Sequence, residues 1–182
     1  MSFRPQTTLI SAAAWFALAT LASAADSGSL GIGHVATPAE IAGWDIDVRA
    51  DGHGLPPGHG SVREGEKIFA ETCAACHGAK GEGKPADRLV GGFGTLATSK
   101  PVRTVGSYWP YATTLFDYIR RAMPFNAPQS LTADQIYAVS AYILYLNNIV
   151  TEDTVLDAAS LPRVRMPNRQ GFTSPDPRPD VP

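Results

Sequence analysis

The stretch Cys73-Ala74-Ala75-Cys76-His77 constrains this chain more than any other part of its sequence. A pair of cysteines two residues apart, with histidine directly after the second, is the attachment pattern of a c-type haem. The thiols can add to the two vinyl groups of the porphyrin, and the adjoining histidine then ligates the iron. We therefore predict one covalently bound haem c, attached through Cys73 and Cys76, with His77 as an axial ligand.

Other sites can use the same residue types, but they fit less well. A structural zinc site needs four ligands, whereas the chain has two cysteines, and His34, His53 and His59 all precede them at unsuitable spacing. A thioredoxin-like dithiol is expected near a βαβ pattern, and a plain disulfide leaves His77 without a role. Haem attachment is the interpretation that uses every residue of the motif.

The N-terminus has the pattern of a secretory signal. Arg4 precedes an apolar run over Leu9–Leu21, and Ala22-Ser23-Ala24 supplies the small residues of a cleavage site. The run is short for a membrane span, and no second run of that length follows. We predict that residues 1–24 are removed on export to the periplasm and that the mature form has no membrane span; a retained N-terminal anchor is the alternative.

Charge and motifs exclude several functions. The formal net charge is −2, without a basic patch for nucleic acid or a charge block for anionic lipid. The sequence also lacks a Ser/His/Asp grouping and a Walker-type glycine motif. We therefore predict no catalytic residues and expect one-electron transfer through the haem rather than catalysis by this chain.

Residues 25–60 are predicted to form an extension ahead of the haem domain. Thr37 and Glu40 form a capping box with a proline at the first helical position, so a short helix should begin there and stop at Gly43. The apolar residues of Trp44–Arg49 alternate with charged ones, which predicts a strand. A loop rich in glycine and proline follows over Gly52–Gly60. We expect the strand to pack on its own domain, with addition to a partner's sheet as the alternative.

Helices are predicted throughout residues 61–150. Capping boxes at Ser61–Glu64 and Thr132–Gln135 begin the first and last helices, and a third runs from Tyr111 or Ala112 to Ala122. Gly65 lies inside the first helix, where it is unfavourable unless another backbone comes close. We expect the last helix to cross there, with Tyr142 near Phe69. On the third helix, we expect the charged residues to face outward: Asp117, Arg120 and Arg121.

Two methionines could occupy the second axial position of the iron. Met123 ends the third helix and precedes Pro124, in a loop supported on both sides. Met166 is also followed by a proline, but it lies in a region with no periodic pattern. Ligand placement requires supporting structure, so we predict that Met123 is the ligand and regard Met166 as the rival.

Cys-x-x-Cys-His after a capped helix, followed by Met-Pro and a final amphipathic helix, resembles a class I cytochrome c from Ser61 to about Asn148. The resemblance implies an all-α, class I cytochrome c fold, here with extended terminal segments. Its parts would be a signal peptide over 1–24, an N-terminal extension over 25–60, the haem domain over 61–150 and a proline-rich C-terminal tail over 151–182. Pro175, Pro177, Pro179 and Pro182 indicate that the tail ends flexibly. With His77 and Met123 both on the iron, no position would be open for substrate.

Three long stretches outside the haem motif resemble the SoxD cytochrome subunit of sulfane (sulfur) dehydrogenase: Gly43–Arg49, Val105–Phe125 and Leu161–Arg169. The resemblance implies a molybdenum-containing, SoxC-like partner that oxidises sulfane sulfur on a carrier protein. It also implies a downstream cytochrome or oxidase that accepts the electrons, with Cys73 and Cys76 holding the haem and His77 and Met123 on the iron.

The chain also departs from that family. Longer members have a second haem domain, whereas this sequence has a single Cys-x-x-Cys-His. It is then either a short single-haem form or the cytochrome subunit of a related sulfite dehydrogenase. A free-standing electron shuttle to a terminal oxidase and a haem enzyme with Met123 displaced are the further alternatives. No proline near Leu89 is placed to present its carbonyl to His77, so the sequence does not identify the group that orients the ring.

Overall fold

The structure is a computed structural model, and it describes residues 32–173. The chain divides after Trp44 into two compact units. In the first, helix α1 spans Pro38–Trp44 and has no buried residue. Thr37 donates its backbone N–H to Glu40 Oε2 at 2.8 Å, and Glu40 returns its N–H to Thr37 Oγ1 at 3.3 Å. The predicted helix start is confirmed, and the helix ends one residue later than expected. The predicted signal peptide lies outside the described residues.

The second unit, from Asp45 onward, contains the predicted helices and a small sheet. Its elements, in chain order, are β1 His59–Ser61, α2 Val62–Thr72, α3 Ala74–His77, α4 Ala112–Ala122, α5 Ala133–Leu146, β2 Val155–Asp157 and a 3-10 helix at Leu161–Arg163. β1 and β2 pair antiparallel, with Gly60 opposite Leu156. The class is all-α, and its hydrophobic core lies among α2, α4 and α5.

Helices α2 and α5 cross at Gly65, as the sequence predicts. A Cβ atom at this position would lie 1.9 Å from the Ala138 carbonyl oxygen, so only glycine fits. The rings of Phe69 and Tyr142 lie 5.4 Å apart beside the crossing. This contact fixes α2, and with it the haem motif that follows directly, against the most buried helix of the fold.

The two capping boxes predicted for residues 61–150 are also present. Ser61 Oγ accepts from the Glu64 N–H, and the Glu64 carboxylate accepts from the Ser61 N–H at 2.8 Å. Thr132 and Gln135 exchange the equivalent bonds at the start of α5. Each box satisfies donors that a helix terminus otherwise leaves unpaired.

The strand predicted for Trp44–Arg49 is not formed. Trp44 belongs to α1 and is 86% exposed, and residues 45–49 have no strand neighbour. Ile46 and Val48 do turn inward, but α4 side chains take the place of a sheet ladder: Asp117 accepts from the Val48 N–H and Arg120 donates to the Ile46 carbonyl. The apolar alternation is therefore real, while the backbone hydrogen bonds are satisfied by side chains.

The segment after Val150 is more ordered than expected. Leu156, Leu161 and Met166 are 2%, 0% and 3% exposed and belong to the hydrophobic core. Met166 is thus firmly held, contrary to the expectation for this region. Packing on the core and the pairing of β2 with β1 hold residues 155–166 in place. The prolines predicted to end the tail flexibly lie outside the described residues.

Candidate functional site

The predicted haem motif folds as one helical turn. Cys73 ends α2, where its N–H donates to the Phe69 carbonyl at 2.9 Å, and it also begins α3. The Cys76 and His77 N–H groups both donate back to the Cys73 carbonyl, at 3.2 and 3.0 Å. This turn places the two thiols a helical turn apart and joins them rigidly to the α2–α5 crossing.

Neither cysteine is in a disulfide. Burial, and secondarily the nearby Cys76, raises the pKa of the Cys73 thiol to about 11. Cys73 is therefore a protonated thiol at neutral pH. A half-buried, uncharged sulfur in apolar surroundings is compatible with a thioether link to haem.

The His77 ring is oriented by a backbone carbonyl. Its Nδ1 lies 2.7 Å from the carbonyl oxygen of Asp87. A carbonyl oxygen only accepts, so Nδ1 carries the proton and Nε2 keeps a lone pair free for a metal. The Asp87 carbonyl is thus the group that orients the His77 ring, which the sequence did not identify. A residue other than proline presents it.

The loop that presents Asp87 is bonded to the motif itself. Gly83 donates its N–H to the His77 carbonyl at 2.7 Å, and Ala86 donates to the Cys76 carbonyl at 2.9 Å. Gly83 has φ +90°, a conformation that side chains other than glycine's disfavour. The motif and the carbonyl that orients its histidine therefore form one hydrogen-bonded unit.

Asn147 secures the far end of this loop. It is 1% exposed, and its side chain donates to the Leu89 carbonyl at 3.2 Å and accepts from the Gly91 N–H at 3.1 Å. It also donates to Ile143, one turn back, at 2.9 Å. One amide at the end of α5 thus ties the loop after Asp87 to the core.

Met123 lies on a different element. It is the C-terminal cap of α4, where its N–H donates to the Ile119 carbonyl at 3.0 Å. Its side chain is partly buried and packs against the same core as Cys73, whereas Met166 is enclosed within that core. The thioether of Met123 is thus the more accessible of the two sulfurs.

The residues present fit a covalently bound haem. Two free thiols one turn apart, an imidazole with Nε2 available and a partly exposed thioether supply the donors. Partly buried apolar side chains, including Leu89 and Trp109, border the same core. Among residues 32–173, no three His, Cys, Asp or Glu side chains converge as a protein-only metal site would require.

Sequence reasoning missed three features. The Asp87 carbonyl carries no sequence signal, because every residue has one. Asn147 stands at the end of a strongly predicted helix, where an amide is an ordinary terminal residue. Asp117 and Arg121 show an i, i+4 charge pattern, but they do not simply face solvent, because both bind the 46–48 segment.

Comparison with known proteins extends these findings. The cytochrome c family model matches residues 62–147. A thiosulfate dehydrogenase from Psychrobacter arcticus is 32% identical over 82 residues, which are 45% of this chain; the chain spans about a quarter (25%) of that protein. A chain in the crystal structure of the sulfane dehydrogenase SoxCD from Paracoccus pantotrophus is 46% identical, with a TM-score of 0.77. That likeness covers 82% of this chain and 74% of the other, well beyond residues 62–147.

Proposed function

This chain belongs to the class I c-type cytochromes and carries one covalently bound haem c, and from that premise we propose that it transfers electrons from a molybdenum-containing, SoxC-like dehydrogenase. The dehydrogenase would oxidise sulfane sulfur or thiosulfate, and a downstream cytochrome or oxidase would accept the electrons. The observation that carries the proposal is the 46% identity to a SoxCD chain over 82% of this chain. A likeness of that extent includes segments outside the haem domain, which a general cytochrome has no reason to share.

We propose that Cys73 and Cys76 form the thioether links and that His77 and Met123 ligate the iron. The support is the free thiols, the proton held on His77 Nδ1 by the Asp87 carbonyl, and the position of Met123 at the end of α4. A haem ligated on both faces supplies one-electron transfer through its exposed edge. The chain then provides no position for substrate, which is why a separate catalytic partner is required.

The protein's own contribution is to set the reduction potential and hold the ligands still. Apolar residues beside the site exclude water and disfavour the additional positive charge of the oxidised state. The Asp87 carbonyl accepts a hydrogen bond from His77 Nδ1, which strengthens His77 as a ligand to iron. A thioether ligand and an apolar pocket both raise the potential, which suits an acceptor of electrons from a dehydrogenase.

We further propose that the chain functions in the periplasm after removal of residues 1–24. The support is the signal pattern, together with the requirement that c-type haem be attached outside the cytoplasm. Within residues 32–173, no helix is both long and apolar enough to cross a membrane. We retain residues 25–60, 61–150 and 151–182 as extension, haem domain and tail, with the tail packed on the haem domain through residues 155–166.

Affinity capture tests the partner. The tagged chain, purified from its native organism, should retain a second protein containing molybdenum cofactor, identified by metal analysis and mass spectrometry. A Cys73→Ala/Cys76→Ala chain, exported with the same tag, controls for binding that needs no haem. Absence of any molybdenum protein, together with rapid electron exchange with a terminal oxidase, would indicate a free-standing shuttle. A captured partner that oxidises only sulfite would assign the chain to a sulfite dehydrogenase.

A further inference from the structure

Three charged side chains on the last turns of α4 form hydrogen bonds with the extended residues Ile46–Val48: Asp117, Arg120 and Arg121. Arg120 donates to the Ile46 carbonyl at 3.2 Å, Arg121 donates to Asp47 Oδ1 at 2.6 Å, and Asp117 Oδ1 accepts from the Val48 N–H at 3.0 Å. Arg121 also donates Nε to both Asp117 oxygens, at 3.1 and 3.0 Å. We call these contacts the α4 brace.

The brace is stronger than an ordinary surface ion pair. An exposed pair contributes little because water and salt screen it, and the Arg121–Asp47 pair alone is of that kind, with side chains 38% and 70% exposed. The Asp117 side chain is only 23% exposed and accepts from both a backbone N–H and a guanidinium. Removing its carboxylate would leave two partly buried donors without their acceptor.

The position of the brace is specific. It holds the turn that leads directly into Met123. The last backbone hydrogen bond of this turn runs from the Met123 N–H to the Ile119 carbonyl. Pro124 has no N–H to extend the helix, and residues 125–130 beyond it are exposed. The terminal turn of a helix frays unless it is held. The backbone support for Met123 therefore comes from the α4 side.

We propose that the α4 brace positions Met123 at the iron, with Asp117 and Arg121 as positioning residues. This inference rests on the proposed role of Met123 as axial ligand. Segment 46–48 lies ahead of the haem domain in sequence, yet through the brace it is part of the support of the distal ligand. Weakening the brace frees the last turn of α4 and lowers the fraction of molecules in which the thioether is bound.

Imidazole binding to the ferric holoprotein tests the proposal, because imidazole competes with the thioether. Asp117→Ala and Arg121→Met should increase the apparent imidazole affinity on the order of three- to ten-fold, as expected from losing one or two charge-assisted hydrogen bonds. Arg121→Met keeps the aliphatic packing, so it remains informative if Asp117→Ala folds poorly. Asp117→Asn retains an acceptor for the Val48 N–H and should keep the apparent imidazole affinity close to the wild-type value.

A matched control is Arg63→Ala on α2, which removes an exposed ion pair with Glu152 and should change imidazole affinity less than about two-fold. Wild-type imidazole affinity in both Asp117→Ala and Arg121→Met would overturn the proposed positioning role of the brace. The assignment of Met123 as a ligand would be unaffected. Met123→Ala distinguishes the two ideas. If that variant binds imidazole like wild type and keeps the absorption band of a thioether-ligated ferric haem, the assignment of Met123 fails, and the brace fails with it.

Discussion

The imidazole of His77 is held by backbone rather than by another side chain. The Asp87 carbonyl oxygen accepts a hydrogen bond from its Nδ1 at an N···O distance of 2.7 Å. The loop that presents this carbonyl is hydrogen-bonded to His77 and Cys76. The sequence predicts Cys73, Cys76 and His77 as the haem-binding residues, because thiols and imidazole at that spacing have few other uses. It could not predict Asp87, since the functional atom is common to all residues and its position depends on the path of the loop.

This arrangement predicts that the Asp87 side chain is dispensable. Asp87→Ala should leave the reduction potential and the ferric spectrum unchanged, because the carbonyl remains. Gly83→Ala is the informative contrast, since it forces a side chain into φ +90° and disturbs the bond from Gly83 to the His77 carbonyl. Potentiometric titration of both variants measures the effect. An altered potential in Asp87→Ala alone would show that the carboxylate, and not the carbonyl, acts on His77.

The two methionines have separable roles. Met123→Ala should lower the reduction potential and allow carbon monoxide to bind the reduced protein, because an axial thioether is lost. Met166→Ala should leave both properties unchanged but cost about 2–4 kcal/mol of stability, since the side chain is 3% exposed in the core. Potentiometry and denaturant unfolding separate the two effects. A lowered potential in Met166→Ala, with none in Met123→Ala, would reverse the assignment.

At the level of elements, the helices and their crossing could be predicted because several local signals agree. Capping boxes fix where α2 and α5 begin, and an otherwise unfavourable glycine marks the crossing. The C-terminal segment could not be predicted in this way. Its buried residues, Leu156, Leu161 and Met166, recur every five positions, which matches neither the helical period of 3.6 nor the strand period of 2. Each is buried by packing against residues distant in the sequence.

The crossing predicts a large effect from a small change. Gly65→Ala places a methyl group 1.9 Å from the Ala138 carbonyl oxygen, so α2 and α5 must separate, at a cost of about 2–4 kcal/mol. The matched control is Gly43→Ala in α1, where an added Cβ meets nothing within 4 Å; global stability there should change by less than about 0.5 kcal/mol. Denaturant unfolding measures both. Equal losses of stability in the two variants would show that the close approach at Gly65 does not determine how much an added methyl group destabilises the fold.

For the molecule as a whole, carboxylates that cap and brace the helices contribute to its stability in acid. Hydrogen bonds from Ser61 lower the pKa of Glu64, and a hydrogen bond from Arg121 lowers the pKa of Asp47. A group whose pKa is lower in the folded state stabilises that state above its unfolded pKa. This stabilisation disappears as the pH falls through the folded value.

We therefore expect the thermal midpoint to fall as the pH drops below about 4, where free carboxyls become protonated. Glu64→Gln keeps an acceptor for the Ser61 N–H but cannot titrate, so its midpoint should depend less steeply on pH. Glu66→Gln, at an exposed position of the same helix, is the control and should follow the wild type. Calorimetry between neutral and acidic pH supplies the comparison. Identical slopes for wild type and Glu64→Gln would mean that the acid sensitivity arises elsewhere.

The central claim is that this chain transfers electrons while a separate partner oxidises the substrate, and rapid-mixing spectroscopy tests it most directly. Oxidised holoprotein is mixed anaerobically with a sulfane-sulfur or thiosulfate substrate, with and without the captured molybdenum protein, and haem absorbance is followed. We predict that the haem is reduced rapidly when the partner is present and remains oxidised when it is absent. Rapid reduction by substrate alone, or no reduction with the partner and substrate together, would contradict this account.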